Sequence, residues 1–569
     1  LVRFSPDGGD VIPHIAMGWE SNDDFTEWTV NLRPGMKWSD GEPFTADDIL
    51  FWYNDIALNT DLSPTPPTWL MNADGTIAKV EKVDDYAVKW TYAQPNTAFL
   101  LDLANKDGAD KSITNLAFAP AHYLKDFHPN YTDSAALDAV VKERGFETWT
   151  ELFAVEALPH LSGNRPSMAA WMPNGTSVSD PVFTIARNPY YIGVDPAGNQ
   201  LPYIDEAVYQ KGPSGVGRTL CTLAGGCDHT NVENPSSEYV DTLKRAAEPD
   251  AEFRMSWGPE DLTFQLSLNQ SEGLGIQDDR DVAVRQLFRE DDFRQAVSHA
   301  LDRDGIAQSL VRGPLLRAWA GGMAPGGPDF DPASVVYYGY NVDRANELLD
   351  GLGLEDTDGN GIRNFPADGP GAGEDIVLGL FTSEGAAETR SIGDQVVIML
   401  DAVGLKANAR PMNSQAELDN DATGQWDMKI SRVDTNSLIF TNCNNYAPLT
   451  SVTPNWNRAG EGERVLRDWE QDLADTITAY CSSRDATERK ELINHWNYVW
   501  TYHNYAIGTV VGRKGLALAK RFKNIPAGLP PRQYQWVESA IMSEILWTPA
   551  DEQKQQVRPD TIPVYADSE

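Results

Sequence analysis

Hydrophobic and polar residues recur along this chain with periods that separate strands from helices. Residues 26–32 put Trp28, Val30 and Leu32 on one side of a period-two pattern, which predicts a half-buried strand turned by Pro34-Gly35. Residues 36–40 predict a short strand running into a second turn at Gly41. Thr45 then caps a helix, with Asp48 three residues on to complete a capping box. Ile49, Trp52, Tyr53 and Ile56 follow at i, i+3, i+4 and i+7, one buried stripe. Tyr86, Val88 and Trp90 predict a strand after a turn at Asp84-Asp85. Residues 160–215 are rich in Pro, Gly and Asn and read as a crossing between lobes, with a strand at 182–185.

From about residue 281 the pattern turns helical. Phe293, Val297, Ala300 and Leu301 form a stripe, with Gly313 placed to end it. Further stripes are Ala345, Leu348, Leu349; Ile392, Val396, Leu400, Val403; Leu466, Trp469, Leu473, Ile477, Tyr480; and Leu492, Trp496, Val499, Trp500. Strands at 264–269, 376–381 and 428–433 lie before and between them. Helices alternating with strands argue an α/β fold.

At 569 residues the length suits three or four domain-sized units or two large lobes. The formal charge of −38 leaves no basic footprint for nucleic acid or an anionic membrane. It suits a solvated exterior in a saline or extracellular setting. No apolar run reaches the ~18–20 residues that span a bilayer. The chain opens Leu1-Val2-Arg3-Phe4, with no basic and apolar leader, and reads as a processed product or a fragment. Of the four cysteines, Cys221 and Cys227 bracket a short Gly-containing loop that a disulfide can close; four separate thiols is the other reading. Disulfides would imply an oxidising compartment.

No nucleophile elbow, phosphate loop, His-Glu-x-x-His or dinucleotide fingerprint is present. The spacing Asp356-x-Asp358-x-Asn360-Gly361 raises calcium as a candidate cofactor, yet position 12 of such a loop, a bidentate Glu, is here Ala367. The other reading is a turn rich in Asp, Asn and Gly. The 17 tryptophans exceed common usage. Several fall on core stripes, whereas Trp257, Trp426, Trp456 and Trp536 lie near loops and strand ends, where a flat ring can stack on a sugar or pack a peptide side chain.

Four stretches together resemble a known family: residues 13–20 (Pro-His-Ile-Ala-Met-Gly-Trp-Glu) with 28–49 (Trp-Thr-Val-Asn-Leu-Arg-Pro-Gly-Met-Lys-Trp-Ser-Asp-Gly through Ile49); 293–306, beginning Phe-Arg-Gln-Ala-Val; 187–191 (Arg-Asn-Pro-Tyr-Tyr) leading to 201–205; and the helix pair around Arg489 before a closing strand at 506–512. This order is similar to that of the extracellular solute-binding proteins of ABC importers, family 5, the oligopeptide- and dipeptide-binding kind. The resemblance implies a two-lobed periplasmic-binding-protein-like fold of type II with an extra subdomain. Residues 1–175 would be the extra subdomain of lobe one and 176–268 its returning part. Residues 269–504 would be lobe two and 505–569 the C-terminal segment of lobe one, with hinge crossings near Leu268 and Tyr505. Family members carry a signal peptide and several strands before the motif that here begins at Pro13, so N-terminal strands are expected to be missing.

The function implied is capture without chemistry. A monomer in the periplasm, or otherwise outside the cytoplasm, binds its ligand between the lobes and docks on the transmembrane subunits of an ABC permease. The expected ligand contacts are Trp257 and Asn269 near the hinge, and Arg432, Asp434, Asn436, Asn442 and Trp456 in lobe two. In the family's peptide binders an Asp in this lobe-two region pairs with the peptide amino terminus, a role Asp434 would take. The sequence around it departs from their pattern, and Trp and Asn suit sugar hydroxyls and ring faces. An oligopeptide is the main reading, a short oligosaccharide the alternative. A secreted acidic hydrolase is the rival from another class. The eight histidines are scattered and give nickel no support.

Overall fold

The structure is a computed structural model. It describes residues 1–5, 10–64, 66–72, 75–104, 113, 116–210, 215–232, 237–311, 315–327, 329–433, 466–483, 485–525 and 543–553. The N-terminal part builds a four-stranded antiparallel sheet in the spatial order Ala16–Ser21, Glu27–Leu32, Ala87–Thr91, Lys79–Asp84. Trp28, Val30 and Leu32 face its core, which is the alternation expected for 26–32. Thr45 caps the helix Ala46–Phe51 with both halves of the capping box formed. Ile49, Trp52, Tyr53 and Ile56 are all buried, but past Phe51 the helix widens to π geometry over Trp52–Ala57. Residues 36–40 make one bridge, Lys37 to Pro43, and no strand. One hydrophobic core runs from Leu1 to Met168 and draws on this sheet and its helices.

The stretch read as a crossing contains the strand expected at 182–185, here Val182–Arg187, at the centre of a three-stranded antiparallel sheet with Trp171–Pro173 and Glu206–Gln210. Pro and Gly there punctuate short strands. The disulfide Cys221–Cys227 closes the loop after the helix Gly215–Leu223, and Cys481 is also disulfide-bonded.

The rest hangs on two long antiparallel strands, Phe253–Leu268 and Ile507–Ala519, which form a ribbon inside a seven-stranded sheet. At one end of the ribbon His229–Val232 pairs with residues 515–518. At the other, Met428–Val433 pairs with 263–268, and Val377–Ser383 and Lys406–Met412 extend the sheet in parallel with it. The alternation at 264–269 marks only the inner third of a 16-residue strand. Its polar residues Thr263, Gln265 and Ser267 are buried too. Period two therefore identified the strand, whose two faces are both buried.

Helices Asp291–Ala300, Val342–Gly351 and Ala387–Asp401 cover the apolar face with the stripes expected of them. The first stops at Ala300. Asp302 then caps a new helix, Arg303–Leu310, so the stripe is split; Gly313 lies outside the described residues. Helices Asp468–Ser482 and Ala486–Tyr502 pair over a separate core around Trp496 and Trp500. Replacing Thr45 by Ala removes one half of the capping box. It should lower the stability of the N-terminal core by about 1 kcal/mol, read as an earlier urea transition.

Candidate functional site

Strands Val377–Ser383, Lys406–Met412 and Met428–Val433 all run the same way, so their carboxyl ends share one edge of the sheet. In open α/β sheets ligands bind outside that edge. Here Val433 lies opposite Thr263, beside the middle of the ribbon, so the edge faces the region where the sheet passes between the lobes. Away from the ribbon the N-terminal part also touches the helix Asp468–Ser482. Thr97 Oγ1, in the N-terminal part, donates to the carbonyl of Cys481 at 2.7 Å.

The expected site residues occupy different surroundings. Arg432 is half-buried on the last turn of Met428–Val433, opposite Phe264 and next to the carboxyl edge. Trp257 lies in the ribbon, half-buried, with its ring edge-on to Tyr239 at 4.8 Å. A Cβ on Gly515 would fall 2.8 Å from the Trp257 ring, so only glycine lets that strand pass beneath it. The Trp257 indole N–H has no partner among the described residues. Asp434, Asn436, Asn442 and Trp456 lie outside the described residues.

Asn269 is fully engaged by the scaffold. Its Nδ2 donates to the carbonyls of Gly424 (3.0 Å) and Trp426 (2.9 Å), and its Oδ1 accepts from the Ser271 amide at 3.1 Å. Arg285 donates to the same two carbonyls at 2.9 and 2.8 Å, and burial pulls its guanidinium down to about 10, still charged at neutral pH. Next to them Arg280 forms a two-pronged pair with Asp427, whose Oδ2 also accepts from the Gly379 amide at 2.8 Å. Buried charges of this kind need full pairing, and here they fix the start of the strand that carries Arg432.

A second knot fastens the inner ends of the ribbon. Gln270 donates to the Tyr505 carbonyl at 3.0 Å and accepts from Arg467 at 2.5 Å. The Arg467 guanidinium lies 4.3 Å from the Trp469 ring, which stacks on His503 at 4.3 Å. Sequence reading missed Arg280, Arg285 and Arg467. Each of them binds groups far away in sequence, among them Asp427, the Trp426 carbonyl and Gln270, and no spacing rule encodes those.

The calcium candidate forms a tight turn. Asp356 accepts from the amides of Gly359 and Gly361, both at 2.8 Å, and this pulls its carboxyl below the usual range. Asn360 donates to Asp375 at 3.0 Å, beside Asp358. Among the described residues no group of three or more His, Cys, Asp or Glu is placed to hold a metal ion. Nor is any helix among them long and apolar enough to cross a membrane.

Comparison with known proteins agrees with this architecture. Residues 10–455 match the sequence profile of bacterial extracellular solute-binding proteins, family 5. A periplasmic alpha-galactoside-binding protein of Rhizobium meliloti (strain 1021) is 32% identical over 99% of this chain and 78% of its own length. The periplasmic binding protein MelB of Agrobacterium fabrum C58, solved with stachyose, superposes with a TM-score of 0.84 at 33% identity, covering 98% of this chain and 81% of that one. An oligopeptide-binding protein, OppA, superposes with a TM-score of 0.64 at 25% identity, over 96% and 87%.

If Asn269 serves the scaffold, Asn269→Leu should lower stability without any ligand by about 1–3 kcal/mol, because carbonyls lose a buried donor. A residue that only touched ligand would leave the ligand-free melting curve unchanged. The two-lobed α/β sheet, its carboxyl edge and the match over most of the sequence place this chain in the bacterial extracellular solute-binding proteins, family 5.

Proposed function

We propose that this protein captures a short α-galactoside oligosaccharide between its lobes, outside the cytoplasm, and delivers it as a monomer to the permease of an ABC importer. The observation that carries the reading is the near full-length likeness to two sugar-binding relatives, one named for alpha-galactosides and one solved with stachyose. The likeness to the oligopeptide binder is weaker over similar coverage, so the oligosaccharide alternative stands ahead of the peptide reading. The family is one of binding proteins, which favours capture over the hydrolase reading.

Physical chemistry points the same way. A chain with net charge −38 repels anions but is indifferent to a neutral sugar. Arg432 supplies charged donors to hydroxyls at the carboxyl edge, and Trp257 supplies a ring and an N–H. Asp434, Asn436, Asn442 and Trp456 follow Arg432 in sequence and complete the proposed set of contacts.

Stachyose at one hundred times its Kd should stabilise the protein by about 2.7 kcal/mol, seen as a raised Tm, whereas a mixed pool of short peptides should not. A shift with the peptides and none with the sugar would reverse the assignment. Replacing Arg432 by Ala should weaken stachyose binding about ten-fold or more, since a hydrogen bond from a charged group contributes about 1.5–3 kcal/mol. Unchanged affinity in calorimetry would remove Arg432 from the site.

A further inference from the structure

The ribbon's register shifts at three points: one extra residue on the Ile507–Ala519 strand at Phe264/Gln265, and two shifts close together at residues 257–262, the larger interruption. Pairing is regular up to Trp257 opposite Gly515 and resumes at Leu262 opposite Gly512, with Glu260 opposite Arg513 between them. The register shifts twice within those five residues, each time by one extra residue on the Phe253–Leu268 strand. The sequence there is Gly258-Pro259, and proline removes a ladder donor. On one side of the interruption the ribbon pairs with His229–Val232; on the other it pairs with Met428–Val433. A sheet bends where its ladder is broken.

A strap lies directly over this point. Its strand Leu316–Ala318 pairs with residues 510–512. The Gly326 amide donates to the Glu260 carbonyl at 3.0 Å, and a Cβ on Gly326 would fall 2.6 Å from Pro259. The carboxylate of Glu260 accepts from Arg317 Nε at 3.2 and 3.1 Å and from Nη2 at 2.7 Å, a two-pronged pair. Further along the strap, Gly321 packs so tightly on the ribbon that a Cβ on Gly508 would fall 2.1 Å from its amide nitrogen. Arg317 is thus fixed to the lobe-two half of the ribbon, while Glu260 rides on the interruption itself.

We propose that residues 258–261, and not the crossings expected near Leu268 and Tyr505, are the bending point between the lobes, and that the Glu260–Arg317 pair is a latch that favours the closed arrangement. Lobe closure belongs to the fold; what the structure adds is where the sheet bends and what holds it. The arrangement in which the latch is formed also has Thr97 of the N-terminal part bonded to Cys481 of lobe two, so the latch and the inter-lobe contact are made together. Opening turns Glu260 relative to the strap and breaks the pair. A ligand that binds the closed form therefore gains from the latch by the same factor as the closed population. This inference rests on the two-lobed reading and not on the identity of the sugar.

The test measures lobe separation in ligand-free protein, by distances between spin labels placed on the N-terminal sheet and on helix Ala486–Tyr502. With Arg317→Gln the ratio of closed to open protein should fall about two- to five-fold, the range of a partly exposed ion pair. Glu260→Gln should do the same, and the exchanged double variant Glu260→Arg with Arg317→Glu should recover most of the loss. Distance distributions unchanged in both single variants would overturn the proposal, as would a loss that the exchange does not restore. Stachyose binding by the wild-type protein is measured in parallel: its absence would count against the sugar assignment and leave the latch result standing.

Discussion

The continuity of one sheet across two lobes is the constraint on which the rest depends. Phe253–Leu268 and Ile507–Ala519 are hydrogen-bonded along almost their whole length, and strands from both lobes attach to their edges. The lobes cannot separate without breaking that ladder, so they can only turn about it. The inner end of the ribbon is stiffened by Asn269 with Arg285 and by Gln270 with Arg467, each fastened to backbone carbonyls. On the proposed reading, motion is concentrated in the segment where Gly258 and Pro259 interrupt the ladder and Gly512 and Gly515 flank it on the facing strand.

That arrangement explains how a binding protein without catalytic motifs works. On the proposed reading, a ligand held at the carboxyl edge of strands Val377–Ser383, Lys406–Met412 and Met428–Val433 touches both lobes and favours closure through differential contact. Arginine serves two roles in this acidic chain. Arg280, Arg285, Arg294 and Arg303 hold buried carbonyls and carboxylates in place, whereas Arg432, at the carboxyl edge, is the one proposed for the ligand. The surplus of carboxylates remains on the exterior and keeps a large molecule soluble.

Much of the fold was legible in the sequence because local rules act on local patterns. The capping box at Thr45, the stripe through Trp52 and the strand 428–433 appear where periodicity put them. The family resemblance followed from motif order, and it gave the lobes. What stayed hidden depends on partners far apart in sequence. The burial of Thr263, Gln265 and Ser267 on the second face of their strand comes from neighbours that local alternation does not reveal. Asn269 looked like a ligand contact because it ends a strand at a crossing, but its amide is bound to residues more than 150 positions away. Within residues 160–215 only the strand at 182–185 was legible, because its partners Trp171–Pro173 and Glu206–Gln210 are short, separated by Pro and Gly, and carry too few residues for a period to register. Of the expected contacts, Arg432 lies at the carboxyl edge and Trp257 in the ribbon just before Gly258 and Pro259.

Small-angle X-ray scattering with and without stachyose tests the central claim most directly. Capture between lobes that turn about the ribbon predicts a smaller radius of gyration on adding the sugar, with the sugar recovered intact. A scattering curve unchanged at saturating, bound stachyose would contradict it, because a ligand held across the bend cannot leave the lobes as they were.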